Sequence, residues 1–326
     1  MTPEELKSQG PPTTLDNTLR SMYRGCPRKM YWFSRGYDYK GEGKPVYFTW
    51  GSAWHEMLNH WYKYLTKIKQ EDYDNDENLV KMCYNVGKKY WEENLGPIET
   101  FKPNDLETLE KLWSLYTEHY PSEPWILVAG EVGWRFPIGT ITGADYIERD
   151  VWYGGSMDGY LEWPGYGVLA IEHKSTGAWI SEAYLAQWSY SPQITGTIWG
   201  LTQLQGKEIF GCLMNIANKM VPGPRSKRTT PLFSRKLEKR SPNQLKEFEA
   251  EVLHDFKLIN AEWEDWVWPK TVDPGECVGR VGRAPCLFRH ICITPIPFEE
   301  IDPLTFQGIK LRKGIWEPWK RRGEQT

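Results

Sequence analysis

The sequence predicts an α/β fold in which a mixed central sheet is flanked by helices, with a helical N-terminal portion before it and a cysteine-bearing C-terminal segment after it. Three observations carry this. Trp50, Trp54, Leu58, Trp61 and Leu65 recur at the spacing of one helical face, and further stretches charged on one side follow. From Ile126 the texture changes to short apolar runs separated by turn signals, as in a strand meander. Helix and strand then alternate up to a long helical stretch at Asn243–Trp266, an order that layers helices against a sheet.

Taken in order, residues 1–13 read as a loose leader. Thr14 to Phe33 is expected as one helix ending near Gly36, and Thr49 to Lys67 as a second; 74–95 and 104–119 add two more. Strands are expected at Ile126–Pro137, Trp152–Trp163 and Val168–Lys174, with Pro164-Gly165-Tyr166-Gly167 turning the second into the third. Helices fill Ser181 to Gln203. A fresh one starts at Ser191-Pro192, because serine caps free N–H groups and proline suits the first helical position. Glu208–Ala217 and Thr229–Leu237 read as a fourth and fifth strand. The expected organisation is one integrated domain with a helical portion at 1–125, a core at 126–270, and a cysteine cluster with a basic tail at 271–326.

At 326 residues, 40% hydrophobic and 25% charged, the chain can bury one large core or two small ones. Its 18 Trp and 18 Tyr are mostly core material, although any ring left in water can stack on an unpaired base. A net charge of −3 excludes a general polyanion-binding surface but not a local basic groove. Two segments qualify. One is Arg225 to Arg240, with Arg225, Lys227, Arg228, Arg235, Lys236, Lys239 and Arg240. The other is the tail, where Lys310, Arg312, Lys313, Lys320, Arg321 and Arg322 interleave with Trp316 and Trp319. Charge runs are more often solvated faces than binding sites. No apolar run approaches the roughly 20 residues that cross a membrane, and MTPEELKSQGPPTT lacks the regions of a signal peptide. A cytoplasmic protein is expected, and in a reducing compartment six cysteines call for a role other than disulfides.

The chemistry-bearing residues are Asp158 and Glu172-His173-Lys174. Glu172 and Lys174 lie two apart on one strand and emerge on the same face. Pairing across the Pro164–Gly167 turn brings Asp158 toward them. Two carboxylates and an ammonium are what metal-assisted phosphodiester hydrolysis uses: hard oxygen ligands for Mg²⁺, and a cation to orient water and offset developing charge. The carbonyl of His173 is an extra candidate ligand, while its side chain points to the opposite face. A surface ion pair is the bland alternative. Against it, apolar Val168-Leu169-Ala170-Ile171 runs straight into Glu172, so these charges close a buried strand and need compensation.

With these residues the chain resembles the RecB-like branch of the PD-(D/E)xK nuclease superfamily. Three further features carry the resemblance. Trp50-Gly51-Ser52-Ala53-Trp54-His55 is similar to that branch's helical motif, whose histidine is a metal ligand. Gln193 is similar to its substrate-contacting glutamine, with Gln187 as a competing choice; the branch has an aromatic four residues later, where this chain has Thr197, with Trp199 two beyond. Cys26, Cys277, Cys286 and Cys292, one early and three late, resemble the iron–sulfur staple of AddB-type and CRISPR-associated exonucleases, although the gap between Cys277 and Cys286 is longer than usual there. Cys83 and Cys212 lie outside that pattern and read as core residues. Glu131, where relatives often carry an acid, is a possible additional ligand, and a surface glutamate is the alternative.

The resemblance implies a restriction-endonuclease-like core and a C-terminal iron–sulfur module. It implies a Mg²⁺- or Mn²⁺-dependent deoxyribonuclease acting on single-stranded or free-ended DNA in a bacterial or phage-infected cell. Asp158, Glu172 and His55 would bind metal, Lys174 would assist the attacking water, Gln193 would position the strand, and the four cysteines would hold a 4Fe–4S cluster, with zinc as the chemical rival. No G-x-x-x-x-G-K-[ST] phosphate loop is present, so any helicase or recombination motor would act in trans. The alternatives from other classes are a catalytically idle DNA-binding protein and a zinc-stabilised scaffold.

Overall fold

The computed structural model describes residues 10–39, 46–66, 77–95, 102–143, 147–222, 231–279, 285–312 and 316–320. In chain order the elements are β1 (Thr14–Leu15), α1 (Asn17–Gly25), α2 (Pro27–Ser34), β2 (Tyr37–Tyr39), α3 (Val46–Leu65), α4 (Glu77–Asn94), α5 (Leu106–His119), β3 (Ile126–Thr142), β4 (Glu148–Trp163) and β5 (Gly167–Thr176). They continue with α6 (Glu182–Ala186), a 3₁₀ turn (Gln187–Tyr190), α7 (Pro192–Gln205), β6 (Gly211–Asn218), β7 (Phe233–Glu238), α8 (Pro242–Asp265), α9 (Pro274–Val278), α10 (Arg289–Cys292) and β8 (Ile309–Leu311). The fold is α/β with a mixed sheet flanked by helices. Among the described residues no helix is long and apolar enough to cross a membrane.

The single helix expected over Thr14–Phe33 is two helices behind a short strand. Pro27 has no N–H and its ring pushes the preceding residue out of the helical region, so Cys26 is extended at φ −165°, ψ 103° and Pro27 opens α2. Asp16 caps α1 by accepting the Leu19 N–H at 2.9 Å. Ser191 and Pro192 start α7 as expected. The expected helix 74–95 begins at Glu77, its first residues lying outside the described set, as do Thr229 and Thr230 of the fifth strand.

The described chain packs as two compact units, one of 1–41, 133–155 and 242–326, the other of 42–132 and 156–241. This division interleaves the chain, because β3 and β4 each give their two halves to different units. In the second unit the order is β4-β5-β6-β7: β4 antiparallel to β5, β5 parallel to β6, and β6 antiparallel to β7. The parallel step requires a crossover, which α6 and α7 supply. Every residue of β6 is buried, as a central strand covered on both faces demands.

One face of this sheet is covered by α3, α4 and α5. Trp50, Trp54, Met57, Leu58 and Trp61 join Cys83, Trp91, Leu112, Trp113 and Tyr116 against Leu161, Leu169, Ile171 and Leu213. The helical spacing of the α3 tryptophans therefore reports core packing. α7 lies against β5 and β6 through the buried Ile194, Ile198 and Leu201.

The other unit holds α1, α2 and α8. Arg20 Nε donates to Asp255 Oδ2 at 2.7 Å between side chains almost wholly buried, and Arg24 reaches the same carboxylate. Tyr31, Trp32, Trp263, Trp268 and Phe298 form an aromatic cluster, and β2 pairs antiparallel with β8.

Gly87 is the point of closest approach between α3 and α4: a Cβ there would stand 2.4 Å from Met57 Cγ and 2.9 Å from the Ala53 carbonyl. Gly87→Ala is therefore expected to destabilise the protein by about 1–3 kcal/mol, outweighing a helix-propensity gain of about 1 kcal/mol. Urea unfolding measures the difference; a more stable variant would show that the helices are free to move apart.

Candidate active site and thiol cavity

The β4–β5 ladder ends at Gly159↔Ile171, one residue short of Asp158 and Glu172. Asp158 instead uses its side chain. Its Oδ2 accepts the His173 backbone N–H at 2.7 Å, and its Oδ1 lies 3.1 Å from His55 Nδ1. His55 comes from α3, which approaches the end of β5 at Gly51: a Cβ there would meet Ser175 Oγ at 3.6 Å.

Glu172 is almost fully buried. Its Oε2 accepts from Lys174 Nζ at 3.2 Å and from Gln193 Nε2 at 3.2 Å, and its Oε1 accepts from Thr197 Oγ1 at 3.3 Å. Asp158 with His55, and Glu172 with Lys174 and Gln193, thus form two hydrogen-bonded groups drawn from α3, β4, β5 and α7, and the backbone at Glu172-His173 joins them, since the His173 N–H donates to Asp158. Thr197, where the resembled pattern has an aromatic, was not foreseen; its place one helical turn after Gln193 was the available signal. Gln187 turns away and donates to the Tyr184 carbonyl at 2.7 Å. Glu131 is half-buried with a left-handed φ of 51°, next to Gly130, which packs against Gly159.

The two carboxylates titrate apart. Burial raises Glu172, helped by the charge of Asp158 and only partly opposed by Lys174. Burial would raise Asp158 too, but the charge and hydrogen bond of His55, with the charge of Lys174, hold it below the usual carboxylate range. Lys174 and His55 are both raised, because the neighbouring carboxylates outweigh their burial.

The His173 ring enters the opposite face, where burial pushes its pKa down to about 3, so it is neutral. It stacks on Tyr62 with ring centroids 5.5 Å apart, and its Nδ1 lies 3.1 Å from Asn215 Nδ2. Asn215 is the register partner of His173 on β6, and Arg235 is the partner of Asn215 on β7. Asn215 Nδ2 also donates to Tyr116 OH at 2.8 Å, Arg235 Nη2 donates to Tyr116 OH at 3.2 Å, and Arg235 forms a two-pronged pair with the buried carboxylate of Glu123. This polar row underlies the backbone between Glu172 and Lys174. Its signal in the sequence was a lone asparagine inside the apolar strand Gly-Cys-Leu-Met-Asn-Ile-Ala.

Of the expected basic groove at 225–240, Arg235, Lys236 and Arg240 are drawn into ion pairs, while Lys239 is exposed over the Phe210 ring. Arg235 pairs with Glu123. Lys236 and Arg240 pair with Glu238, and both also donate to backbone carbonyls of the segment before α7. Arg225, Lys227 and Arg228 lie outside the described residues, as do Lys313, Arg321 and Arg322. In the tail, Trp316 Nε1 donates to Asp16 Oδ2 at 3.2 Å, Arg312 covers Phe33, and Trp319 lies over Gly133 and Gly154.

In the unit that contains both ends of the described chain, Cys26, Cys277, Cys286 and Cys292 line one cavity of about 320 Å³, together with Lys29, Lys270, Arg289 and His290. The Cys286 N–H donates to the Cys277 carbonyl at 3.0 Å, and Lys270 Nζ donates to the Cys292 carbonyl at 2.7 Å. Burial raises Cys286 and Cys292; both also feel Cys26, and the nearby cations Lys29, Arg28 and Lys270 pull in the opposite direction. Cys83 and Cys212 are buried elsewhere, in α4 and β6. Among the described residues, no three or more His, Cys, Asp or Glu side chains already stand in the close spacing of a formed metal site.

The chain matches no protein-family model and no curated protein. Among solved structures it is similar to the crystal structure of a protein named SSO0001, at 11% identity and a TM-score of 0.33, over 90% of this chain and 96% of that one. Similarity of that size carries no information on activity.

The polar row makes a prediction about coupling. Asn215→Leu and His173→Leu are each expected to destabilise by about 1–3 kcal/mol, because each leaves buried partners unsatisfied. The double variant should lose measurably less than the sum. Additive losses in urea unfolding would show that the two side chains act independently.

Proposed function

We propose that the chain is a Mg²⁺- or Mn²⁺-dependent DNA nuclease of the RecB-like PD-(D/E)xK type, with a restriction-endonuclease-like core and a structural 4Fe–4S cluster. One observation carries the reading: residues as distant in sequence as His55, Asp158, Glu172, Lys174 and Gln193 converge on two hydrogen-bonded groups joined by the backbone of β5 at Glu172-His173. The donor set fits a hard divalent cation. A buried carboxylate and a partly exposed one stand with a histidine and a backbone carbonyl, the hard oxygen and imidazole donors that such an ion takes.

Asp158, Glu172, His55 and the His173 carbonyl would hold the metal. A bound divalent ion supplies Lewis acidity toward a phosphodiester and the attacking water. Lys174, tied to Glu172, would orient that water and counter charge growing on the phosphoryl oxygens. Gln193 would position the strand from the first turn of α7 while bracing Glu172. The neutral His173 ring, locked by Asn215, would hold the backbone N–H that orients Asp158.

The four thiols would hold the cluster. Four sulfur donors suit either iron–sulfur or zinc. The cavity that the four thiols share can take either group, and the resemblance of the cysteine pattern favours the cluster.

The test is digestion of end-labelled single-stranded DNA with Mn²⁺ or with EDTA. Wild type should degrade it only with metal, and Asp158→Ala or Lys174→Ala should slow cleavage about 100-fold or more. Undiminished cleavage by Lys174→Ala would overturn the assignment. Protein purified without oxygen should be brown and carry about four irons per chain, and Cys26→Ser should lose both properties. Colourless protein with one zinc would replace the cluster with a zinc staple.

A further inference from the structure

We propose that Trp179, Tyr184, Trp188 and Tyr190 form a base-stacking shelf beside the carboxylate–lysine site, which selects single-stranded nucleic acid by the exposed faces of its unpaired bases. The inference deepens the nuclease reading and rests on it for the identity of the neighbouring site, but it stands on different residues.

All four rings lie on the connection between Lys174 and Gln193. Trp179 is 63% exposed and Tyr190 85% exposed, a costly way to place large apolar rings. They do not hang from a loose loop. Near Trp179, the Ala178 N–H donates to Thr176 Oγ1 at 2.9 Å, and Asn218 Nδ2 donates to the Ala178 carbonyl at 2.6 Å. Near Tyr190, Lys236 Nζ donates to the Leu185 carbonyl at 3.0 Å and to Ser189 Oγ at 2.9 Å, while Arg240 Nη2 donates to the Trp188 carbonyl at 3.0 Å. The inward-turned cations of β7 thus have a purpose: they pin the shelf from beneath.

The shelf begins at the site itself. Lys174 Nζ stands 5.9 Å from the centre of the Trp188 ring, and Tyr184 meets Trp188 edge-on at 6.0 Å. A phosphate held near Lys174 would place its adjoining nucleosides within reach of these rings. Rings of this kind stack on any base, but only on a base whose π-face is free; in a duplex both faces are covered by neighbours. Exposed rings on a pinned connection that starts beside the Lys174 ammonium therefore fit an unpaired strand better than a duplex.

The experiment measures fluorescence anisotropy of labelled oligothymidylate in EDTA, where nothing is cleaved, with an abasic strand of equal length and a blunt hairpin duplex as comparisons. Trp179→Ala and Tyr190→Ala are expected to weaken oligothymidylate binding about tenfold each. Tyr190→Phe should bind like wild type, because the ring and not the hydroxyl is used. Abasic strand and duplex should bind weakly and be indifferent to all three changes. Wild-type affinity in both alanine variants, or an equal loss on the abasic strand, would overturn the shelf. Cleavage with Mn²⁺ separates the two ideas. If wild type cleaves while the variants bind unchanged, the shelf falls and the nuclease stands. If binding is base-dependent but wild type with Mn²⁺ leaves the strand intact, the nuclease reading falls and the shelf stands.

Discussion

The burial of the Glu172 carboxylate within β5, with the partly exposed Asp158 of β4 beside it, is the constraint around which the sheet-bearing unit is arranged. A carboxylate taken out of water must find donors or protonate. Here each surrounding element sends one: His55 from α3, the His173 N–H and Lys174 from β5, Gln193 and Thr197 from α7. The donors do not complete the compensation, since Glu172 is still raised. A buried carboxylate that stays under-compensated is a poor stabilising device, because the same volume filled with apolar side chains would serve stability as well or better.

The arrangement needs a fixed backbone, and the opposite face of β5 provides it. A slip of one residue would move His173 to the face of Glu172 and bury a lysine in the aromatic core. The row His173–Asn215–Arg235 forbids the slip, because its side chains satisfy one another only in this register across three strands. Glu123 completes the row from outside the sheet by pairing with Arg235. A buried polar network is worth having only when its members are satisfied, and this one fixes the strand that carries both Glu172 and Lys174.

What was legible in the sequence was whatever local pattern encodes. The two-residue spacing of Glu172 and Lys174, the Pro164–Gly167 turn and the Ser191-Pro192 helix start are all short-range signals, and each appears as expected. The mixed sheet followed from their order. Pro27 was equally visible, yet the apolar periodicity around it masked the break that makes Cys26 a junction between helices. Thr197, Asn215 and Arg235 escaped notice because their roles depend on pairings between strands that no local pattern specifies. The ion pairs of Arg235, Lys236 and Arg240 were hidden for the same reason: these cations look solvated in sequence, but Glu123 and Glu238 meet them in space. Only the resemblance linked Cys26 with the three late cysteines, and the fold brings all four to one cavity.

The surroundings of that cavity bear on the state of the thiols. Neutral thiols need no counter-charge, and burial alone would keep Cys286 and Cys292 protonated. Yet Lys29, Lys270, Arg289 and His290 line the same cavity, with Glu276 the acidic group among them. Gathering cations around protonated sulfur accumulates like charge without return. Gathering them around thiolates stabilises the ligating form, and a metal group bound there closes the loop between Cys26 and the late cysteines, which restricts the unfolded chain far more than the folded one. On the proposed reading the cation collar and the break at Pro27 would serve one state, four thiolates holding the two ends of one unit together through a shared inorganic group.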